Sequence, residues 1–143
     1  MLLVRDIMTE WVATAGPERT VREAATIMVK GRTGSLVVVS GGRPVGIVTE
    51  GDVSRSLSTG ANPDKVSVRK IMSKRLITVN PDRRVEEAAK LMTEKKVKKL
   101  PVVESGNLLG IVTQTDIVAS SFELVTSLKE MVRARYRPPD FQP

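Results

Sequence analysis

Gly46-Ile47-Val48-Thr49-Glu50-Gly51-Asp52 and Gly110-Ile111-Val112-Thr113-Gln114-Thr115-Asp116 are one phrase written twice. In each copy a short β-branched run ends at a threonine, and an acid follows three residues later. That pattern reads as a strand running straight into a capped helix, because the hydroxyl and the carboxylate each satisfy a backbone N–H at the helix start. Working outward, the likeness covers Val4 to Val53 against Val68 to Ile117 at a constant offset of about 64 residues, without a gap. About two positions in five are identical. Val4-Arg5-Asp6-Ile7-Met8 matches Val68-Arg69-Lys70-Ile71-Met72, and Val21-Arg22-Glu23-Ala24-Ala25 matches Val85-Glu86-Glu87-Ala88-Ala89. The chain is an internal duplication.

Each copy reads as β-α-β-β-α. After Pro17 and Pro81, the apolar positions Val21, Ala24, Ala25, Met28 and Val85, Ala88, Ala89, Met92 recur at helical spacing. Leu36-Val37-Val38-Val39 and Leu100-Pro101-Val102-Val103 are short strands, followed by turn residues and by return strands at Pro44 to Val48 and Leu108 to Val112. A further short strand is expected near Val12 to Ala15 and again near Leu76 to Val79. The reading divides the chain into a first motif (1–58), a linker (59–67), a second motif (68–121), a helical extension (122–137) and a loose tail (138–143).

Composition narrows the chemistry. With 143 residues, 41% hydrophobic and 27% charged, the chain suits one ordinary globular unit of class α+β. Cysteine and histidine are both absent, which removes disulfides, thiolate nucleophiles, imidazole bases and the softer metal ligands. An enzyme is not expected. No apolar run is long enough to cross a bilayer, and a cytoplasmic protein without membrane contact is expected. The net charge of +7 points to anionic partners: nucleotides, nucleic acid or an acidic protein.

The ordered blocks, each ending Gly-Ile-Val-Thr-x-x-Asp with a Val-Val-Val or Pro-Val-Val strand upstream, resemble paired CBS (cystathionine β-synthase-type) motifs over Val4 to Ser120. The resemblance implies two motifs packed through their sheets as one pseudo-two-fold Bateman module with two clefts, pairing into a flat homodimeric disk. It implies an adenine nucleotide in the clefts, a regulatory role through an unidentified partner protein, and no catalytic cofactor or metal. Asp52 or Asp116 would take the ribose hydroxyls, and Thr49 or Thr113 would lie near ribose or phosphate. Chemistry agrees, since an ionised carboxylate is acceptor-only and can receive both hydroxyls of a cis-diol. An isolated Thr-x-x-Asp is a capping box and nothing more; its recurrence at matched positions adds the ligand role.

By resemblance the clefts are crossed. Asp52 would work with Ile77, Val97, Lys98, Lys99 and Leu100 of the second motif, a basic wall. Asp116 would face Ala13, Thr33, Gly34, Ser35 and Leu36, which bring only small and hydroxyl groups, so phosphate binding belongs to the first cleft. AMP is the expected ligand ahead of ATP or ADP, because a single basic cleft suits a single phosphate. Lys95 and Lys96 read as a solvated helix end, Trp11 as a packing or dimer contact ahead of adenine stacking, and Met8, Met28, Met72 and Met92 as core filler. Arg133, Arg135 and Arg137 read as a solvated tail. Two alternatives stand: a basic nucleic-acid-binding protein, poorly served by two Phe, one Tyr and one Trp, or a structural adaptor without ligand.

Overall fold

Thr20 opens the first long helix by accepting the Glu23 N–H at 3.2 Å, while Glu23 accepts the Thr20 N–H at 3.3 Å. That capping box starts α2 (Val21–Lys30), which buries Val21, Ala24 and Met28 on one face. The computed structural model describes residues 1–121 together with 129 and 130. Apart from those two, the expected helix at 122–137 and the tail at 138–143 lie outside the described residues. The remaining elements are α1 (Val4–Ile7), β1 (Thr14–Ala15), β2 (Ser35–Ser40), β3 (Arg43–Thr49), α3 (Glu50–Ser58), a 3-10 turn (Val68–Lys70), α4 (Val85–Lys95), β4 (Lys99–Glu104), β5 (Asn107–Thr113) and α5 (Gln114–Ala119).

β2 and β3 form an antiparallel hairpin, as do β4 and β5. Two-residue turns join them, Gly41-Gly42 and Ser105-Gly106, and all four residues have positive φ, as a primed hairpin turn requires. In the first motif β1 adds in parallel to β2. In the second, the expected strand at Leu76 to Val79 contracts to a single bridge between Val79 and Val102. Pro101 explains the loss. Its counterpart Val37 donates a backbone N–H to Ala13 O at 2.9 Å, and proline has no N–H to give to Ile77.

Two apolar cores result, and each motif needs the other to complete its own. Val68 is fully buried among Ala24, Met28, Leu36, Val38 and Val48 of the first motif, with Ile71 and Met72 packed beside it. Val4, also fully buried, sits with Ala88, Met92, Leu100, Val102 and Val112 of the second motif, flanked by Ile7 and Met8. Matched backbone bonds hold the exchanged segments: Val4 N–H to Arg83 O and Arg5 N–H to Pro81 O, against Val68 N–H to Arg19 O and Arg69 N–H to Pro17 O. Burying each valine contributes roughly 1.5–3 kcal/mol.

The exchange explains the glycine of the repeated phrase. A β-carbon on Gly46 would lie 2.6 Å from Met72 Sδ, and one on Gly110 2.6 Å from Thr9 O. These strands carry glycine because the incoming segment of the other motif lies directly on them, bridged at Ile47–Ser73 and Thr9–Ile111.

Candidate functional site

Both Thr-x-x-Asp patterns are capping boxes. Asp52 Oδ2 accepts the Thr49 N–H at 2.9 Å and the Thr49 hydroxyl at 3.1 Å, and Asp52 N–H donates to Thr49 Oγ1 at 3.2 Å. Asp116 Oδ2 accepts the Thr113 N–H at 2.9 Å, and its own N–H donates to Thr113 Oγ1 at 3.1 Å. In each carboxylate the cap occupies one oxygen, Oδ2, and leaves Oδ1 outside the cap. Asp52 Oδ1 accepts from the exposed Arg55 guanidinium at 2.7 Å, whereas among the described residues Asp116 Oδ1 has a long contact to the Thr9 hydroxyl at 3.4 Å.

A cavity of about 360 Å³ opens beside Thr49. Ile47, Thr49, Gly34 and Ser35 of the first motif form one side, and Arg75–Ile77, Lys96–Lys99 and Pro101 of the second form the other. Ile77 and Val97 also pack on the second core, so the floor is apolar and held in place from beneath. Four cations, Arg75, Lys96, Lys98 and Lys99, stand on its walls. Their number and the enclosed apolar floor suit a flat apolar ring carrying an anionic group.

A second cavity, about 230 Å³, lies beside Thr113. Its walls are Ile111 and Thr113 on one side and Thr9, Trp11–Ala13, Gly31–Thr33 and Ser35–Val37 on the other. Arg32 is its one lining cation among the described residues. Ser35 is buried, lines both cavities and accepts a hydrogen bond from Lys99 Nζ at 3.1 Å, so residues at equivalent places in the two motifs touch where the clefts adjoin.

The CBS domain family model matches residues 4–59 and again 68–123. The chain belongs to the CBS domain family. It is 41% identical over 133 residues to an uncharacterized protein of Methanopyrus kandleri, covering 91% of this chain and 68% of that one. It is 33% identical over 120 residues to the CBS domain-containing protein YhcV of Bacillus subtilis, covering 84% and 86%. Among solved structures, the CBS domain pair of protein MJ0100 in complex with 5′-methylthioadenosine and S-adenosyl-L-methionine superposes with TM-score 0.75 at 30% identity, covering 90% of this chain and 98% of that one.

The crossed arrangement expected for paired CBS motifs is present, each Thr facing the early segments of the other motif. Thr49, Ile77, Val97, Lys98 and Lys99 meet around the larger cleft, with Asp52 tied to Thr49 at its edge. Leu100 does not join them: it is fully buried in the second CBS core, because alternation along β4 turns it inward. Ala13, Thr33, Ser35, Leu36 and Thr113 line the smaller cleft, with Asp116 tied to Thr113. Gly34 is on the other side of that divide. It lines the Asp52 cleft, where Gly34 O accepts the Glu50 N–H at 3.0 Å at the start of α3.

The sequence offers no reading of Arg75 in the larger cleft or Arg32 in the smaller; Lys96, expected at a solvated helix end, lines the larger cleft, and Trp11, expected first as a packing or dimer contact, lines the smaller. Trp11 and Arg75 occupy equivalent places in the repeat, as do Arg32 and Lys96, and that correspondence was the available signal. Lys96 and Arg32 both adopt left-handed backbone, φ 55° and 51°, which ends the preceding helix and carries the chain onto the cleft wall. No helix among the described residues is long and apolar enough to cross a membrane.

Proposed function

We propose that this CBS pair is a regulatory module that binds an adenine nucleotide, with AMP preferred, in the Asp52 cleft. The observation that carries the reading is the pairing, across the motif boundary, of a capped carboxylate with a four-cation wall over an apolar floor. Ile47, Ile77, Val97 and Pro101 offer faces for the base. Asp52 Oδ1 takes the ribose hydroxyls, with Arg55 swinging aside on the solvent side, and Lys98 and Lys99 meet the phosphate. The bound adenosine-type ligands of the MJ0100 pair support the ligand class. AMP is favoured over ADP and ATP because one basic cleft of about 360 Å³ suits a single phosphate better than a long polyphosphate.

The module carries no catalytic role in this reading. A ligand that touches both motifs stabilises the arrangement in which the two walls stand at its width, and it shifts the equilibrium by its differential affinity for that arrangement. The output passes to a partner protein or to a rearranged homodimer. Titration calorimetry with AMP, ADP and ATP tests the reading: saturable heat is expected from AMP, abolished with Lys98→Met and Lys99→Met together. The absence of heat from all three at millimolar concentration would sink it.

A further inference from the structure

Ser35 and Lys99 are the same position of the repeat, 64 residues apart, and they touch: Lys99 Nζ donates to Ser35 Oγ at 3.1 Å across the motif boundary. That bond crosses between the clefts. Along its own hairpin Lys99 pairs with Thr113, the cap residue of the smaller cleft, as Ser35 pairs with Thr49, the cap residue of the larger. Directly paired residues of an antiparallel ladder carry their side chains on one face, so Lys99 leaves its strand on the Thr113 side. Among the described residues it nonetheless lines the larger cleft and is absent from the smaller, while Ser35 lines both. Ser35 is 4% exposed, Lys99 is half-buried, and Lys99 has no carboxylate partner among the described residues. The Ser35 hydroxyl is therefore the group that fixes the tip of a long flexible stem.

We infer that Ser35 is a positioning residue: its hydroxyl delivers the Lys99 ammonium to the Asp52 cleft and so sets which cleft receives the anionic end of a ligand. Ser35 was expected to serve the Asp116 cleft; its side chain serves the other as well. An ammonium that gives one proton to Ser35 keeps further donors for an anion, and the tether removes stem freedom before the ligand arrives. The same contact explains why the two copies differ at this position. A lysine at 35 would bring two ammonium groups together at a buried site, where like charges repel far more strongly than in open water. The boundary holds one cation. The inference rests on the nucleotide reading of the Asp52 cleft and adds to it the residue that aims the phosphate-facing charge.

The test is a double-mutant cycle on Ser35→Ala and Lys99→Met, read by calorimetry with AMP and adenosine and checked for native circular dichroism. Ser35→Ala is expected to lower the ratio of AMP to adenosine affinity about fivefold, as loss of a hydrogen bond to a charged group does. In the Lys99→Met background the same change should lower it hardly at all. Ser35→Cys, which keeps the size and offers sulfur as a weak acceptor, should fall between wild type and Ser35→Ala. A reading without nucleotide is brief acetylation with acetic anhydride, followed by mass spectrometry: labelling of Lys99 relative to Lys98 should rise about twofold or more in Ser35→Ala, since the released ammonium is no longer held. An equal drop in both backgrounds, an unmoved ratio, or Lys99 labelling indifferent to Ser35 overturns the inference and leaves AMP binding at Asp52 standing. Absence of AMP heat from the wild type, with Lys99 labelling that depends on Ser35, overturns the AMP reading instead and leaves the tether in place.

Discussion

The two clefts descend from one duplicated sequence, and they differ in a consistent way. Residues with backbone duties are the same in both: the threonine and aspartate of the cap, and the glycine beneath the exchanged segment. Residues on the cavity walls have diverged, Arg75 against Trp11, Lys99 against Ser35, and outside the cap Arg55 against Ala119. Exposed wall positions can change at little cost in stability, whereas loss of a cap or overpacking of a strand is felt by the whole fold. Duplication therefore preserves a scaffold and leaves the cleft walls free to vary.

The sharpest way to break the comparison is to exchange the consequences of the two aspartates. Asp52→Asn, together with Lys98→Met and Lys99→Met, should weaken AMP binding by about a hundredfold or more, since each charge-assisted bond contributes roughly 1.5–3 kcal/mol. Asp116→Asn should leave the AMP isotherm nearly unchanged. Equal losses from the two aspartates would mean that the clefts are functionally alike.

The scaffold side of the comparison is tested at the glycines. Gly110→Ala meets the Thr9 backbone oxygen at 2.6 Å and should destabilise by roughly 2–3 kcal/mol in chemical denaturation. Gly46→Ala meets the Met72 thioether at 2.6 Å and Ser73 O at 3.0 Å. A flexible side chain can yield partway, so its cost should be smaller, about 1–2 kcal/mol. The opposite ranking would show that the second motif is the more yielding of the two.

A smaller effect is expected where the motifs start their long helices. Thr20 caps α2, while its counterpart Arg84 makes no side-chain cap at α4. Arg84→Thr should stabilise by about 0.5–1 kcal/mol in thermal or denaturant unfolding, and Thr20→Ala should cost about 1 kcal/mol.

The smallest effect is the acid response of the same two helix starts. The Arg19 guanidinium, then the Thr20 N–H, holds the Glu23 carboxyl below its usual range; at Glu87 the Arg84 N–H comes first and the Arg83 guanidinium second. Because the folded values lie below the unfolded one, these carboxylates contribute stability above the ordinary value of 4.5 and lose it as pH falls through their lowered values. The melting temperature should therefore drop as pH falls below about 5, and Glu23→Gln or Glu87→Gln should flatten that slope slightly, since both groups are exposed.

Much of this architecture was legible in the sequence, because repeated capping and helical spacing are local signals. Thr49 and Asp52 name their own helix start, and Val21, Ala24 and Met28 name their own buried face. The exchange of Val4 and Val68 between cores was not legible: a repeat reveals which residues are equivalent, not which copy they pack against. Pro101 carried a readable warning, as a proline cannot supply the N–H that pairs β1 with β2 in the first motif. Arg75 and Trp11 were legible only as a mismatch between aligned copies, and the burial of Leu100 follows from the alternation of β4.

The exchanged segments have a consequence for the molecule as a divisible object. A fragment holding residues 1–58 carries Val4, which fills the interior of the second half, and a fragment from Ser67 onward carries Val68, which fills the interior of the first. Cut within the intervening linker, the pieces are each other's missing parts, and their reassembly from separate solutions would restore both cavities at once. The chain is in that sense a self-complementing split protein whose halves happen to be synthesised together.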